Sequence, residues 1–316
     1  MNPLAMPLHE LEATLATGAT LTREQAAPLL ASTDLLSLGV LGESARKVRS
    51  GDRVTYGRVC AFQPGAPAAD PGQAGEVRLA GTPESADDAR LWTRDARRFA
   101  GDLALTGFSL ADLLELCGGD HLALADLARA LRADGLESIA ETPLDALGDI
   151  ENVVEVLRAV LHGGLGAWRA TIDEAAPGRR LDLIECAVTA QRETGAFRAF
   201  APLPRRDPVD TPATGYDDVR TIAIARLMTD IPAIQVDWPL YGPKLAQVAI
   251  AYGANDLDGI APVDTSALGP RRAPKEDIER HIRAASGQPV ERDGRYAVRP
   301  ATDQSRDESR DRRDGV

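Results

Sequence analysis

Arg53-Val54-Thr55-Tyr56-Gly57-Arg58-Val59-Cys60-Ala61-Phe62 follows Gly51-Asp52 and is rich in β-branched and aromatic residues. It predicts a strand over Val54–Phe62. From Arg53 onward, short β-rich runs alternate with longer helical ones, the pattern of repeated βα units around a parallel sheet. Seven more strands are predicted, over Glu76–Ala80, Leu103–Thr106, Glu137–Ala140, Ala167–Ile172, Phe197–Ala201, Ile234–Asp237 and Asp258–Ile260. Eight such strands specify a (β/α)8 TIM-type barrel, and 316 residues accommodate one barrel of about 250 residues with short extensions.

Between the strands, a helix is predicted over Pro83–Phe99 with Thr82 as its cap, and another over Ile150–Leu161 with Asp149 as its cap and Gly163-Gly164 as its stop. The first βα unit is degenerate. Gln63–Ala74 is rich in Pro, Gly and Ala and cannot make a crossover helix, so it either spans the barrel flank as an irregular loop or leaves the barrel open or altered there. Upstream, residues 1–52 read as an N-terminal helical extension, with Thr22 and Gln25 in capping-box spacing. The barrel is expected over 53–300. Residues 301–316 alternate Asp, Glu, Arg and Ser with almost no apolar side chains and are expected to be a disordered polar tail.

Composition narrows the function classes. A net charge of −12 argues against nucleic acid and anionic membranes as partners, since both demand a basic face. No run of about 18 apolar residues exists, and Met1-Asn2-Pro3-Leu4 lacks the features of a signal peptide, so the expected location is cytoplasmic. Cys60, Cys117 and Cys186 are odd in number and widely spaced, as suits reduced thiols. His9, His121, His162 and His281 are scattered and form no ligand set, so no metal site is expected.

Several segments carry a family resemblance. Gly51 through Tyr56, together with Cys60-Ala61-Phe62, resemble the first barrel strand and cluster loop of the radical S-adenosylmethionine (SAM) enzymes of futalosine-type menaquinone biosynthesis, the aminofutalosine synthases and dehypoxanthine futalosine cyclases. The resemblance covers about residues 10–295 and is strongest in the last third. Asp217 through Leu227 looks like the family's sixth helix and Pro232 through Trp238 like its seventh strand. Gly242-Pro243-Lys244-Leu245-Ala246-Gln247, with Tyr252-Gly253-Ala254-Asn255-Asp256-Leu257-Asp258-Gly259, is close to a family fingerprint. By itself, Asn255 through Gly259 reads as a polar turn feeding the eighth strand.

The resemblance implies a [4Fe-4S] cluster and SAM, but this chain departs from the pattern where they would bind. The family's insert with three cysteines is missing, and Cys60 aligns with the last of the three. Gly81 is what remains of the SAM-contacting turn after the second strand. Glu141-Thr142-Pro143 and Asp173-Glu174-Ala175-Ala176-Pro177 replace two further turns. The expectation is therefore no cofactor, no radical chemistry and a pseudoenzyme with a degenerate cluster motif, its status as an enzyme left open.

Barrel enzymes place reacting groups at the C-terminal ends of strands. There this chain offers Glu141, Asp173, Arg205, Arg206, Asp237, Trp238, Tyr241 and Lys244 as ligand-binding candidates. Cations beside flat aromatic surface suit a small carboxylated aromatic or a futalosine-type ligand. A full-length radical SAM paralogue is the alternative partner. Retained pathway catalysis, or a non-radical reaction at the barrel mouth, is the alternative activity.

Overall fold

The computed structural model describes residues 8–66, 70–174, 177–206, 214–264 and 275–300. Three helices lead in: α1 (Leu8–Ala16), α2 (Arg23–Leu30) and α3 (Leu35–Ser50). The capping box at Thr22 forms as expected, with Gln25 Oε1 accepting from the Thr22 amide at 2.9 Å.

Eight parallel strands close a barrel: β1 (Arg53–Phe62), β2 (Glu76–Leu79), β3 (Ala104–Ser109), β4 (Ser138–Pro143), β5 (Arg169–Ile172), β6 (Ala199–Pro204), β7 (Ala233–Asp237) and β8 (Asp256–Ile260). Around and between them lie α4 (Ala86–Ala100), α5 (Leu110–Leu116), α6 (His121–Ala133), α7 (Ile150–His162), α8 (Arg180–Thr194), α9 (Gly215–Met228), α10 (Trp238–Ala251) and α11 (Lys275–Ala284). A ninth strand, β9 (Gln288–Arg292), adds to β1. The (β/α)8 expectation holds.

Helix α9 explains the leading helices. Its run Thr221 through Met228 is buried on every side, and a helix buried all round must be covered on its outer face. Helices α2 and α3 supply that cover. In α3, Gly42 permits the approach to α10, because a Cβ there would lie 2.4 Å from the Tyr252 carbonyl oxygen.

Among the described residues of the first βα unit there is no helix between its strands, yet the barrel is closed there. β2 begins opposite Val59, so the chain need return only along the last four residues of β1, about 13 Å, before pairing. The other half of β1, Arg53–Gly57, is covered instead by β9. Two short strands thus share the edge that one long strand would occupy.

Local boundaries differ from expectation in instructive ways. Helix α4 starts at Ala86 under Ser85, whose hydroxyl accepts from the Asp88 amide at 3.1 Å. Thr82 instead donates to Asp112 at 2.8 Å. Asp149 caps α7 as expected. Strand β4 runs on through Glu141-Thr142-Pro143, and β8 starts at Asp256, so the expected polar turn is strand.

That last difference matters because the acids of β8 cross-link the barrel interior. Arg78 reaches Glu76 at 2.8 Å and Asp258 at 2.9 Å, while Arg169 reaches Asp258 at 3.1 Å. Arg292 bonds Asp256 at 2.6 Å and Asp258 at 2.9 Å. Burial alone would raise the Asp258 carboxyl, but Arg78, Arg169 and Arg292 hold it well below the usual range.

Beyond β9 the chain seals the N-terminal end of the barrel. The Tyr296 ring stacks under the Arg292 guanidinium at 4.3 Å, and its hydroxyl accepts from Gln235 at 3.2 Å. Arg295 bonds Glu137 at 2.6 Å. The expected polar tail, 301–316, lies outside the described residues.

Candidate functional site at the barrel mouth

The C-terminal ends of the strands surround a cavity of about 460 Å³. β1 contributes Val59 and Ala61, β2 contributes Arg78 and Leu79, β4 contributes Glu141, and Arg205 follows directly after β6. Asp237 closes β7 and caps α10, accepting from the Leu240 amide at 3.2 Å. Gly259 lets α10 come this close, since a Cβ there would lie 2.9 Å from Pro239 Cδ at a φ of +75°.

Arg205 organises the polar wall. Its guanidinium bonds Glu141 at 3.0 Å and Asp237 at 3.3 Å and remains 24% exposed. Asp237 also meets Arg169 at 3.4 Å, which links the mouth to the ion pairs below. The opposite wall is Phe108, held at φ +63° at the end of β3, a conformation that costs a bulky residue energy and that clusters at functional sites. Thr82 and Ser109 add hydroxyls to the rim and Asp112 a carboxylate.

The structure brings together Glu141, Arg205 and Asp237, with Gly81 at the rim in a φ of +103°. It separates the other candidates. Asp173 and Arg206 pair with each other beside the mouth. Trp238 is fully buried, edge-on to His281 with ring centroids 5.7 Å apart, so it offers no stacking surface. Tyr241 donates its hydroxyl to the Pro204 carbonyl. Lys244 is exposed on α10 and outside the cavity.

Arg78, Phe108, Ser109 and Asp112 were missed. For Arg78 a signal existed, because Glu76 and Arg78 alternate with Val77 and Leu79 and so point to one face. Nothing in sequence marked Phe108, whose role depends on its backbone conformation.

Cys60 faces away from the barrel mouth. Val59 and Ala61 line the mouth, so the residue between them faces outward. There its Sγ lies 3.8 Å from the Asp70 carbonyl oxygen, and burial pushes the thiol up from its usual range. Cys117 ends α5 and Cys186 lies within α8. Among the described residues no group of three or more His, Cys, Asp or Glu side chains is arranged to hold a metal, so a three-thiolate cluster does not fit the residues described.

Residues 200–305 match the CofH/MqnC C-terminal region. Aminodeoxyfutalosine synthase of Streptomyces coelicolor is 26% identical over 92% of this chain and 93% of its own length. The chain is thus similar to aminodeoxyfutalosine synthase along nearly its whole length. A second relative, 5-amino-6-(D-ribitylamino)uracil--L-tyrosine 4-hydroxyphenyl transferase of Methanococcoides burtonii, is 26% identical over 60% of this chain, and the match spans 62% of that enzyme. Among solved structures, methylornithine synthase superposes with a TM-score of 0.62 over 89% of this chain and 97% of its own, at 15% identity, which shows the shared fold.

These findings correct the expectation that no cofactor is involved. The synthase and its kin, to which this chain is similar, are radical SAM enzymes that use a [4Fe-4S] cluster and SAM, and methylornithine synthase and HydG share the barrel fold with this chain. The aligned length against the Streptomyces synthase, 363 positions, exceeds the 316 residues here, so the synthase has segments without a counterpart in this chain. Of the expected location, the structure adds one fact: no helix of the described residues is long and apolar enough to cross a membrane.

Proposed function

We propose that this synthase relative binds a hydroxylated, futalosine-type nucleoside at the barrel mouth. The observation that carries this reading is the placement of Arg205 between Glu141 and Asp237 on the wall of the 460 Å³ cavity. Asp237 is engaged by both Arg205 and Arg169, whereas Arg205 meets Glu141 at Oε1, so the second Glu141 oxygen keeps acceptor capacity that suits a sugar hydroxyl as donor. The volume falls in the usual range for small-molecule sites, and Val59, Leu79, Pro239 and Leu240 supply apolar lining for a base or ring. A benzoate-type ligand is less well served, because Trp238 is buried, Arg206 is paired elsewhere and Lys244 lies outside the cavity.

Thermal shift and calorimetry with adenosine-containing nucleosides and a 3-substituted benzoate test the reading. The nucleoside should bind and raise the melting temperature, and Glu141→Gln and Arg205→Ala should each weaken binding about tenfold or more. No nucleoside binding at millimolar concentration, or binding indifferent to both substitutions, would overturn it. A second reading, retained pathway catalysis, is favoured by the alignment along nearly the whole synthase. Anaerobic SAM cleavage by protein reconstituted with iron and sulfide would establish it.

A further inference from the structure

A second cavity, about 670 Å³ and larger than the mouth, opens at the opposite end of the barrel. Five guanidinium groups line it, from Arg49, Arg53, Arg198, Arg292 and Arg295, against one carboxylate, Asp230. Such a concentration is unexpected in a chain with a net charge of −12.

Two of the five are neutralised by the fold. Arg292 is held by Asp256 and Asp258, and Arg295 by Glu137. The other three have no carboxylate within hydrogen-bond distance among the described residues. Arg49 donates to the Thr229 carbonyl, Arg198 donates to the Arg295 carbonyl and stacks over Trp168 at 4.4 Å, and Arg53 is exposed with no acceptor.

Behind Arg49 the positive field deepens. Arg46 and Arg226 are fully buried; Arg226 bonds only the Gly253 carbonyl and Asn255, and Arg46 comes no closer than 3.9 Å to Glu43. Arg46 Nε and Nη2 and Arg226 Nη1 are buried without a partner. Burial, with Arg49 and Arg46 nearby, pushes the Arg226 guanidinium down to about 9. Asp230 near Arg49, and Glu43 and Asp52 near Arg46, offset this positive field only in part, and none of them is within hydrogen-bond distance of these guanidiniums.

We infer that the N-terminal end of the barrel binds a small oxyanion carrying two or more negative charges, through Arg49, Arg53 and Arg198. These residues come from the end of α3, the start of β1 and the segment before β6, so three elements converge on one ligand. Guanidinium forks match phosphate and carboxylate oxygens in pairs, which makes both classes chemically suitable. Pro232, Tyr296 and Val298 add an apolar wall that accommodates a carbon skeleton attached to the anion.

Calorimetry on the full-length protein, with inorganic pyrophosphate and with citrate at a constant ionic strength of about 0.15 M, tests this. At least one probe should bind. Arg53→Glu and Arg198→Glu, both at exposed positions, should each weaken binding at least tenfold, and Arg53→Gln should weaken it less. Lys244→Glu, an equal change of charge on α10, should leave affinity within about twofold, because screening at that ionic strength removes distant charges. Preference between the probes assigns the phosphate or the carboxylate class. The inference is overturned if neither probe binds at about 10 mM, well above the Kd expected of a specific site, or if Lys244→Glu weakens binding as much as the arginine variants do. Melting curves separate lost binding from lost folding, and Arg53→Gln, which introduces no new charge, carries the test if a glutamate variant misfolds.

Discussion

Asp258 is the residue on which the barrel interior turns. Three guanidiniums, from Arg78, Arg169 and Arg292, converge on its buried carboxylate. Removing that charge leaves buried cations short of a partner, so Asp258→Asn should cost about 3–5 kcal/mol, measured by urea denaturation. The pH dependence follows from the direction of its shift. A carboxyl held below its unfolded value, about 3.9, contributes stability that is fully present above that pH and is lost as pH falls through the depressed value in the fold. The acid limb of the stability curve, below about pH 4, should therefore be shallower in Asp258→Asn than in the wild type. Cys60 makes the opposite point. Its outward burial and raised thiol make it unreactive in the native state, so a thiol reagent should modify it only on unfolding. Cys60→Ala should leave nucleoside binding at the mouth unchanged; a loss of binding would place the thiol in the site after all.

At the scale of elements, β9 and the turn after it act as a closing piece. They cover the half of β1 that β2 does not reach and deliver Arg292, Tyr296 and Arg295 to the barrel's N-terminal end. A chain truncated after Ser286 should lose its cooperative thermal transition, because Asp256 and Asp258 would be left buried without Arg292. Truncation after Pro300 should leave the melting temperature unchanged, since the contacts of β9 and its turn are all retained. A drop of several degrees would show that the removed segment docks. The leading helices are a second such piece: α2 and α3 are required by the buried circumference of α9, a demand visible in Thr221 through Met228 once that helix is placed.

For the whole molecule, the two cavities lie at opposite ends of one barrel, divided by the ion pairs of its interior. Separated sites act independently, so Glu141→Gln should not alter pyrophosphate affinity, and Arg53→Glu should not alter nucleoside affinity. Cross-effects in calorimetry would mean that the ion-pair column couples them.

The amino-acid sequence by itself determined the architecture and the kinship. Alternating βα units, caps such as Asp149, and the run from Gly242 to Gly259 are local patterns, and local patterns survive without tertiary information. It also determined which residue types stand at strand ends, including Glu141, Arg205 and Asp237. Only the tertiary structure decided which of these meet. A strand's period of two sent Val59 and Ala61 to the mouth and Cys60 to the opposite face, and the burial of α10 took Trp238 out of reach. The positive φ of Phe108 and the convergence of Arg49, Arg53 and Arg198 depend on contacts between segments far apart in the chain, which no window of sequence contains.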